Sequence, residues 1–202
     1  MTGARVVLAT RNPHKVGELR EILADAGVAV DLVAASDFPD VPDVAETGET
    51  FAANALLKAH AVAAATGLPA LADDSGLAVD ALNGMPGIFS ARWAGGHGDD
   101  RANLDLLLAQ IADVPDERRG ARFVCAAALV LPDGRERIGE GVVEGVLLRA
   151  RRGTGGFGYD PVFLPRGETR TTAEMPAAEK HAISHRGRAF RALAPALREL
   201  LG

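Results

Sequence analysis

Apolar and polar positions along the 202-residue chain alternate between strand-like and helix-like spacing, and the changes mark its elements. Val6 to Ala9 is an unbroken apolar run of strand type. Beyond Asn12-Pro13, the residues Val16, Leu19, Ile22, Leu23 and Ala26 recur at helical spacing until Gly27 stops them. Phe51 to Thr66 is alanine-rich and reads as a helix, Leu68 to Ala72 and Leu77 to Leu82 as two strands, and Asn103 to Ile111 as another helix. Gly67 and Pro69 punctuate the first of these junctions. Phe123 to Leu131 is a fully apolar strand, Gly139 to Leu148 a glycine-interrupted one, and Pro161 to Leu164 a short one. Ser184 to Leu201 reads as a closing helix with Phe190, Leu193, Leu197 and Leu200 inward. Strands and helices interleave, which predicts an α/β fold on a mixed sheet. No repeat, heptad seam or low-complexity tail divides the chain, so a single domain over residues 1–202 is expected.

Composition then removes several classes of function. Apolar residues make up 48% of the chain, enough for a sizeable core, and the net charge of −5 argues against a surface given over to nucleic acid. That charge is polarised: residues 1–148 hold 12 bases and 22 acids, residues 149–202 hold 10 bases and 5 acids. Cys125 is the sole cysteine, which excludes an internal disulfide and a cysteine-rich zinc site and suits a reducing compartment. The longest stretch free of Asp, Glu, Lys and Arg is the 14 residues from Ala59 to Ala72, whereas a membrane-spanning helix needs about 20 apolar residues. The N-terminus has no apolar signal-peptide region. A cytoplasmic protein without a membrane or nucleic-acid partner is expected.

Candidate chemistry begins at Thr10-Arg11-Asn12-Pro13-His14-Lys15, between the first strand and the first helix. Asn12 suits an N-cap and Pro13 the first helical position. Lys15 is either a solvated side chain or the partner of an anion, because a first-turn lysine opposes the helix dipole by about 0.3–1 kcal/mol. A second helix start has the same character: Ser184 suits an N-cap and is followed at once by His185 and Arg186. Two cationic starts point toward a polyanionic ligand. The chain has 19 Arg but only three Lys, at 15, 58 and 180, and a compact ammonium suits phosphate.

Residues 151–160, Arg-Arg-Gly-Thr-Gly-Gly-Phe-Gly-Tyr-Asp, contain G-x-G-x-x-G, yet the extended Pro161-Val162-Phe163-Leu164 follows where a dinucleotide fingerprint needs a helix. The run is then a flexible turn or, favoured by its aromatics and arginines, a loop whose backbone approaches a ligand, with Phe157 or Tyr159 offering a ring to a base. Asp73-Asp74-Ser75-Gly76 lies between two apolar runs, a turn by its residue types or a ligand-facing strand end. Beside an anionic ligand its carboxylates suit Mg²⁺ and the activation of a water. Glu46 is a further acid ahead of the Phe51 helix, exposed by default.

In combination these motifs resemble one family, the non-standard purine nucleoside triphosphate pyrophosphatases. The resemblance rests on Ala9-Thr10-x-Asn12-x-x-Lys15, on Glu46-Thr47-Gly48-x-Thr50-Phe51-x-x-Asn54-Ala55-x-x-Lys58-Ala59, and on Ala72-Asp73-Asp74-Ser75-Gly76-Leu77. It continues in Gly84-x-Pro86-Gly87-x-x-Ser90-Ala91-Arg92, in 155–161 and in Lys180-x-x-x-Ser184-His185-Arg186-Gly187, in the family's order and over nearly the whole chain. It implies Mg²⁺-dependent hydrolysis of ITP, dITP and XTP to the nucleoside monophosphate and pyrophosphate. It also implies a two-lobed α/β fold with a long mixed central sheet flanked by helices, an active-site groove between the lobes, and a homodimer. Thr10, Arg11, Asn12, Pro13, His14 and Lys15 look like the triphosphate loop, Asp74 like the proton acceptor and a metal ligand, and Glu46 like a further metal ligand. Ser75, Phe157, Gly158, Tyr159, Asp160, Lys180, His185 and Arg186 match substrate-contacting positions, the last two near the base. Arg11 departs from the pattern, since many relatives carry glycine there. The rival reading, a nucleotide-binding sensor without catalysis, is disfavoured by the intact Asp73-Asp74 and Lys15.

Overall fold

The fold is described by a computed structural model covering residues 3–10 and 13–201, with residues 13–15 given by their backbone alone. Six strands form one sheet in the order β2-β1-β3-β4-β5-β6: β1 is Ala4–Leu8, β2 Val30–Ala34, β3 Ala70–Val79, β4 Gly120–Val130, β5 Glu136–Leu147 and β6 Phe163–Pro165. β1 pairs in parallel with β2 and β3, and β5 pairs antiparallel with β6, so the sheet is mixed. The helices are α1 (Pro13–Asp25), α2 (Phe51–Thr66), α3 (Asp100–Gln110), α4 (Ala177–Ile183) and α5 (His185–Leu201). Among the described residues no helix is long and apolar enough to cross a membrane. The α/β class with a helix-flanked mixed sheet is as the sequence predicts.

The chain divides into two compact units, one of Met1–Asp74, Cys125–Gly141 and Arg186–Gly202, the other of Ser75–Val124 and Val142–His185. In the first, the strand period of two sends alternate residues to opposite faces. Val6, Leu8, Leu71 and Leu129 pack with Leu19 and Leu23 of α1 and Phe190, Leu193 and Leu197 of α5. Val7, Ala70, Ala72, Ala128 and Val130 pack with Ala55, Ala59, Val62 and Ala63 of α2. Burial on both faces explains why these strands read as continuous apolar runs. In the second unit, Leu77 and Val79 of β3 pack with Leu104 and Leu107 of α3 and with Val143, Tyr159, Val162 and Phe163.

Three sequence expectations change. Leu68–Ala72 and Leu77–Leu82 are not two strands around a turn: Asp73-Asp74-Ser75-Gly76 lies inside the single strand β3. Turn-forming residues break a strand only when their polar groups need solvent, and here partners described below satisfy both aspartates. Pro161 belongs to a 3-10 turn over Asp160–Val162, with β6 starting at Phe163. β2 and the seven-residue α4 are additional elements.

Candidate active site

α2 supplies the first group of functional side chains. Thr50 caps the helix by accepting the Ala53 N–H at 3.0 Å, and Gly67, at φ +66°, ends it in the left-handed region. Between these ends Asn54 and Lys58, four residues apart, occupy one face of an otherwise alanine-rich helix. Asn54 accepts the Gly48 N–H at 2.8 Å through Oδ1 and donates through Nδ2 to Asp74 Oδ2 at 3.1 Å. Lys58 Nζ donates to Glu46 Oε1 at 2.7 Å and lies 3.5 Å from Asp74 Oδ1. One ammonium therefore stands against two carboxylates that belong to segments far apart in sequence.

Strand alternation decides which aspartate does what. Asp74 shares the face of Ala70 and Ala72 and so meets α2, whereas Asp73 shares the face of Leu71 and meets α1 and α5. There Arg186 donates from Nε and Nη2 to Asp73 Oδ2 at 3.1 and 3.0 Å, and from Nη1 to Glu18 Oε2 at 3.3 Å. Arg186, a candidate for the base, is thus buried in this unit with its guanidinium on two carboxylates.

The electrostatics follow from this arrangement. Burial pushes the Asp74 carboxyl above the ordinary value, the Lys58 ammonium pulls it back and the like charge of Glu46 adds to the rise. Burial alone would lower Lys58, but Asp74 and Glu46 outweigh it and hold the ammonium above its usual range. The charge of Asp73 likewise raises Arg186 against its burial. Among the described residues no group of three or more His, Cys, Asp or Glu is placed to hold a metal ion. The oxygen-only pair of Asp74 and Glu46, already gathered around one positive charge, fits a hard cation that takes its other ligands from water and phosphate.

Residues 153–185 form a second group, in the second unit, around a cavity of about 120 Å³. His185, which opens α5, stacks on Phe123 with centroids 5.0 Å apart and planes 13° from parallel, and Phe123 sets its edge against Phe163 at 4.6 Å. The half-buried Lys180 pairs with Asp160 and places Nζ 4.8 Å from the centre of the Phe157 ring. Asp160 is buried and also accepts the Phe157 N–H and the Thr172 hydroxyl, both at 2.8 Å. Its carboxylate thus organises the loop that carries Phe157, which is 66% exposed. Gly156 permits this, because at φ +71° a side chain is strained and a Cβ would collide with that carboxylate. Tyr159 donates its hydroxyl to Ser90 O at 2.8 Å, and burial, then the charge of Asp100, push its phenol up, so it stays protonated. Ser75 and Gly158 complete the wall.

Of the remaining sequence candidates, Thr10 follows β1 and donates its N–H to Leu8 O at 2.7 Å. Arg11 and Asn12 lie outside the described residues, and Pro13, His14 and Lys15 are placed only as the backbone opening α1. A larger depression of about 400 Å³ holds none of the candidates; its arginines, Arg122 and Arg166, are paired with Asp80 and Glu144 at 2.6 Å. The sequence reading did not select Asn54, Lys58, Phe123, Ser90 or Asp100 as site residues. Two polar residues at i and i+4 in an apolar helix were a usable signal for Asn54 and Lys58; no local signal marks the others.

Known proteins place this chain in a family. Residues 6–196 match the model of the Ham1 family. The chain is similar to the dITP/XTP pyrophosphatase of Streptomyces coelicolor, 71% identical over 198 residues that cover 98% of this chain and 99% of the relative. It is also similar to the crystal structure of the dITP/XTP pyrophosphatase from Mycobacterium abscessus, at 56% identity and a TM-score of 0.81, covering 96% of this chain and 100% of that one. A HAM1 protein from Coxiella burnetii matches with a TM-score of 0.89 at 43% identity, covering 97% and 99% of the two chains. With the family model matched over nearly its whole length and the fold shared with solved members, the chain belongs to the Ham1 family.

Proposed function

We propose that this protein hydrolyses non-standard purine nucleoside triphosphates, dITP, ITP and XTP, to the nucleoside monophosphate and pyrophosphate. The observation that carries the reading is the Asp74 carboxylate, half-buried, raised in basicity and fixed between Asn54 and Lys58. The name of the Streptomyces coelicolor relative supports the substrate class. Asp74 accepts a proton from water as the water oxygen bonds to the α-phosphorus; the bond from that phosphorus to the bridging oxygen breaks, and pyrophosphate departs. Lys58, held protonated, balances the acid pair and keeps a donor toward phosphate. A magnesium ion held by Asp74 and Glu46 would supply further positive charge for the phosphate oxygens. Lys15 and the start of α1 serve the triphosphate in the same sense.

The purine is assigned to the cavity of the second unit, where Phe157 offers an exposed ring and His185 is held flat against Phe123. Ser75, the residue after Asp74, lines that cavity. Donors there, His185 and Lys180 among them, suit the 6-keto oxygen of hypoxanthine and xanthine, whereas the 6-amino group of adenine offers them no carbonyl acceptor. Steady-state assays with Mg²⁺ test this: kcat/KM for dITP, ITP and XTP is expected to exceed that for ATP by about a hundredfold or more. Equal values for ITP and ATP would contradict the assignment.

A further inference from the structure

The Phe157 ring stands on a segment with little conformational preference of its own. Gly153, Gly156 and Gly158 adopt φ of +82°, +71° and +57°, and ordering glycine costs more backbone freedom than ordering any other residue. Such a segment keeps one position only where its N–H groups are held. Two consecutive ones are held by carboxylates. Phe157 N–H donates to Asp160 within the turn, and Gly158 N–H donates at 2.8 Å to Asp100 Oδ2, 58 residues away in sequence. Asp100 is the first residue of α3, where the helix dipole favours a carboxylate. Asp99 caps that helix through the Ala102 N–H at 3.0 Å, and Leu104 and Leu107 anchor it in the core of the second unit. A firm support therefore holds a soft loop.

The loop also separates two spaces. Asp100, Phe157 and Gly158 line both the cavity beside His185 and an open depression of about 380 Å³ next to Arg101 and Arg151. Released at Gly158, the loop keeps the Asp160 contact and the bond from Gly155 N–H to Ala173 O at 3.0 Å. Those two contacts hold the turn, and the outer corner then lacks its carboxylate support.

We propose that Asp100 is a positioning residue for the purine cavity, fixing the Phe157 wall through the Gly158 N–H. The substrate in this inference rests on the pyrophosphatase reading above. Because the base lies remote from the reacting bond, its contacts are lost equally from bound substrate and transition state. Asp100→Ala is therefore expected to raise KM for ITP about tenfold with kcat within about twofold of the parent. Asp100→Asn, which keeps an acceptor oxygen, recovers most of the loss. In the unliganded full chain, amide exchange at Gly158 measured by NMR is expected to quicken in Asp100→Ala. A purely structural role lowers the active fraction, and so kcat, at unchanged KM; that pattern, or unaltered Gly158 exchange, overturns the proposal. Failure of the parent protein to hydrolyse ITP, dITP and XTP refutes the pyrophosphatase reading instead, and Gly158 exchange then still decides whether Asp100 holds the loop.

Discussion

Asp74→Asn is expected to lower kcat for ITP by about a thousandfold, within the range typical of a lost general base, while the protein stays folded. The amide is isosteric with the carboxylate and its oxygen still accepts from Asn54 Nδ2, so the geometry persists without the proton acceptor. Stability is expected to move the other way. Burial raises the Asp74 carboxyl above its unfolded value, so the folded chain binds that proton more tightly and stability falls as pH rises through the folded value. At neutral pH the ionised group is thus carried at some cost, which a neutral amide removes. The urea midpoint of Asp74→Asn should equal or exceed that of the parent. Retained turnover would remove the role of Asp74, and a large fall in midpoint would make the loss of turnover a folding defect.

Arg186→Ala is expected to lower the unfolding free energy by about 3–5 kcal/mol, the loss typical when one member of a buried ion pair is removed. Arg186 and Asp73 have side chains only 9% and 7% exposed, and Glu18 adds a second carboxylate at 16%. Truncation takes away the guanidinium that compensates both acids. The contact of Nε and Nη2 with a single Asp73 oxygen uses the planar fork, so Arg186→Lys should recover only part of the loss. The double variant Asp73→Asn/Arg186→Ala should lose less than the two single changes added together, because the charge that Arg186 compensated is gone. Urea unfolding checks all three. A loss below about 1 kcal/mol in Arg186→Ala would place this network among ion pairs of the surface kind.

The elements that are long, strongly periodic and capped were legible from sequence: α2 between Thr50 and Gly67, β4 as an apolar run, and α5 by its Phe190, Leu193 and Leu197 stripe. β2 was not, because Val30–Ala34 is five residues with a charged Asp31 among them. β3 was misread as two strands because turn propensity is local, whereas what keeps Asp73 and Asp74 in a strand is Arg186, 113 residues on from Asp73, and Asn54 and Lys58 on another element. The same limit governs the site. Asp74, Glu46 and Lys180 could be singled out by residue type and motif. That Lys58 joins Glu46 to Asp74, that Phe123 orients His185, or that Asp100 holds Gly158 depends on pairings that appear only when the chain is folded. Lys58 and Lys180, two of the three lysines, each stand on carboxylates of a candidate site.

The most direct measurement of the central claim is the fate of solvent oxygen. Hydrolysis of ITP in water enriched in ¹⁸O, with Mg²⁺ present and both products analysed by mass spectrometry, reports which phosphorus the water attacks. Attack at the α-phosphorus, with Asp74 as the base, predicts one ¹⁸O in the inosine monophosphate and none in the pyrophosphate. Label in the pyrophosphate, or release of a nucleoside diphosphate with labelled phosphate, would contradict the account.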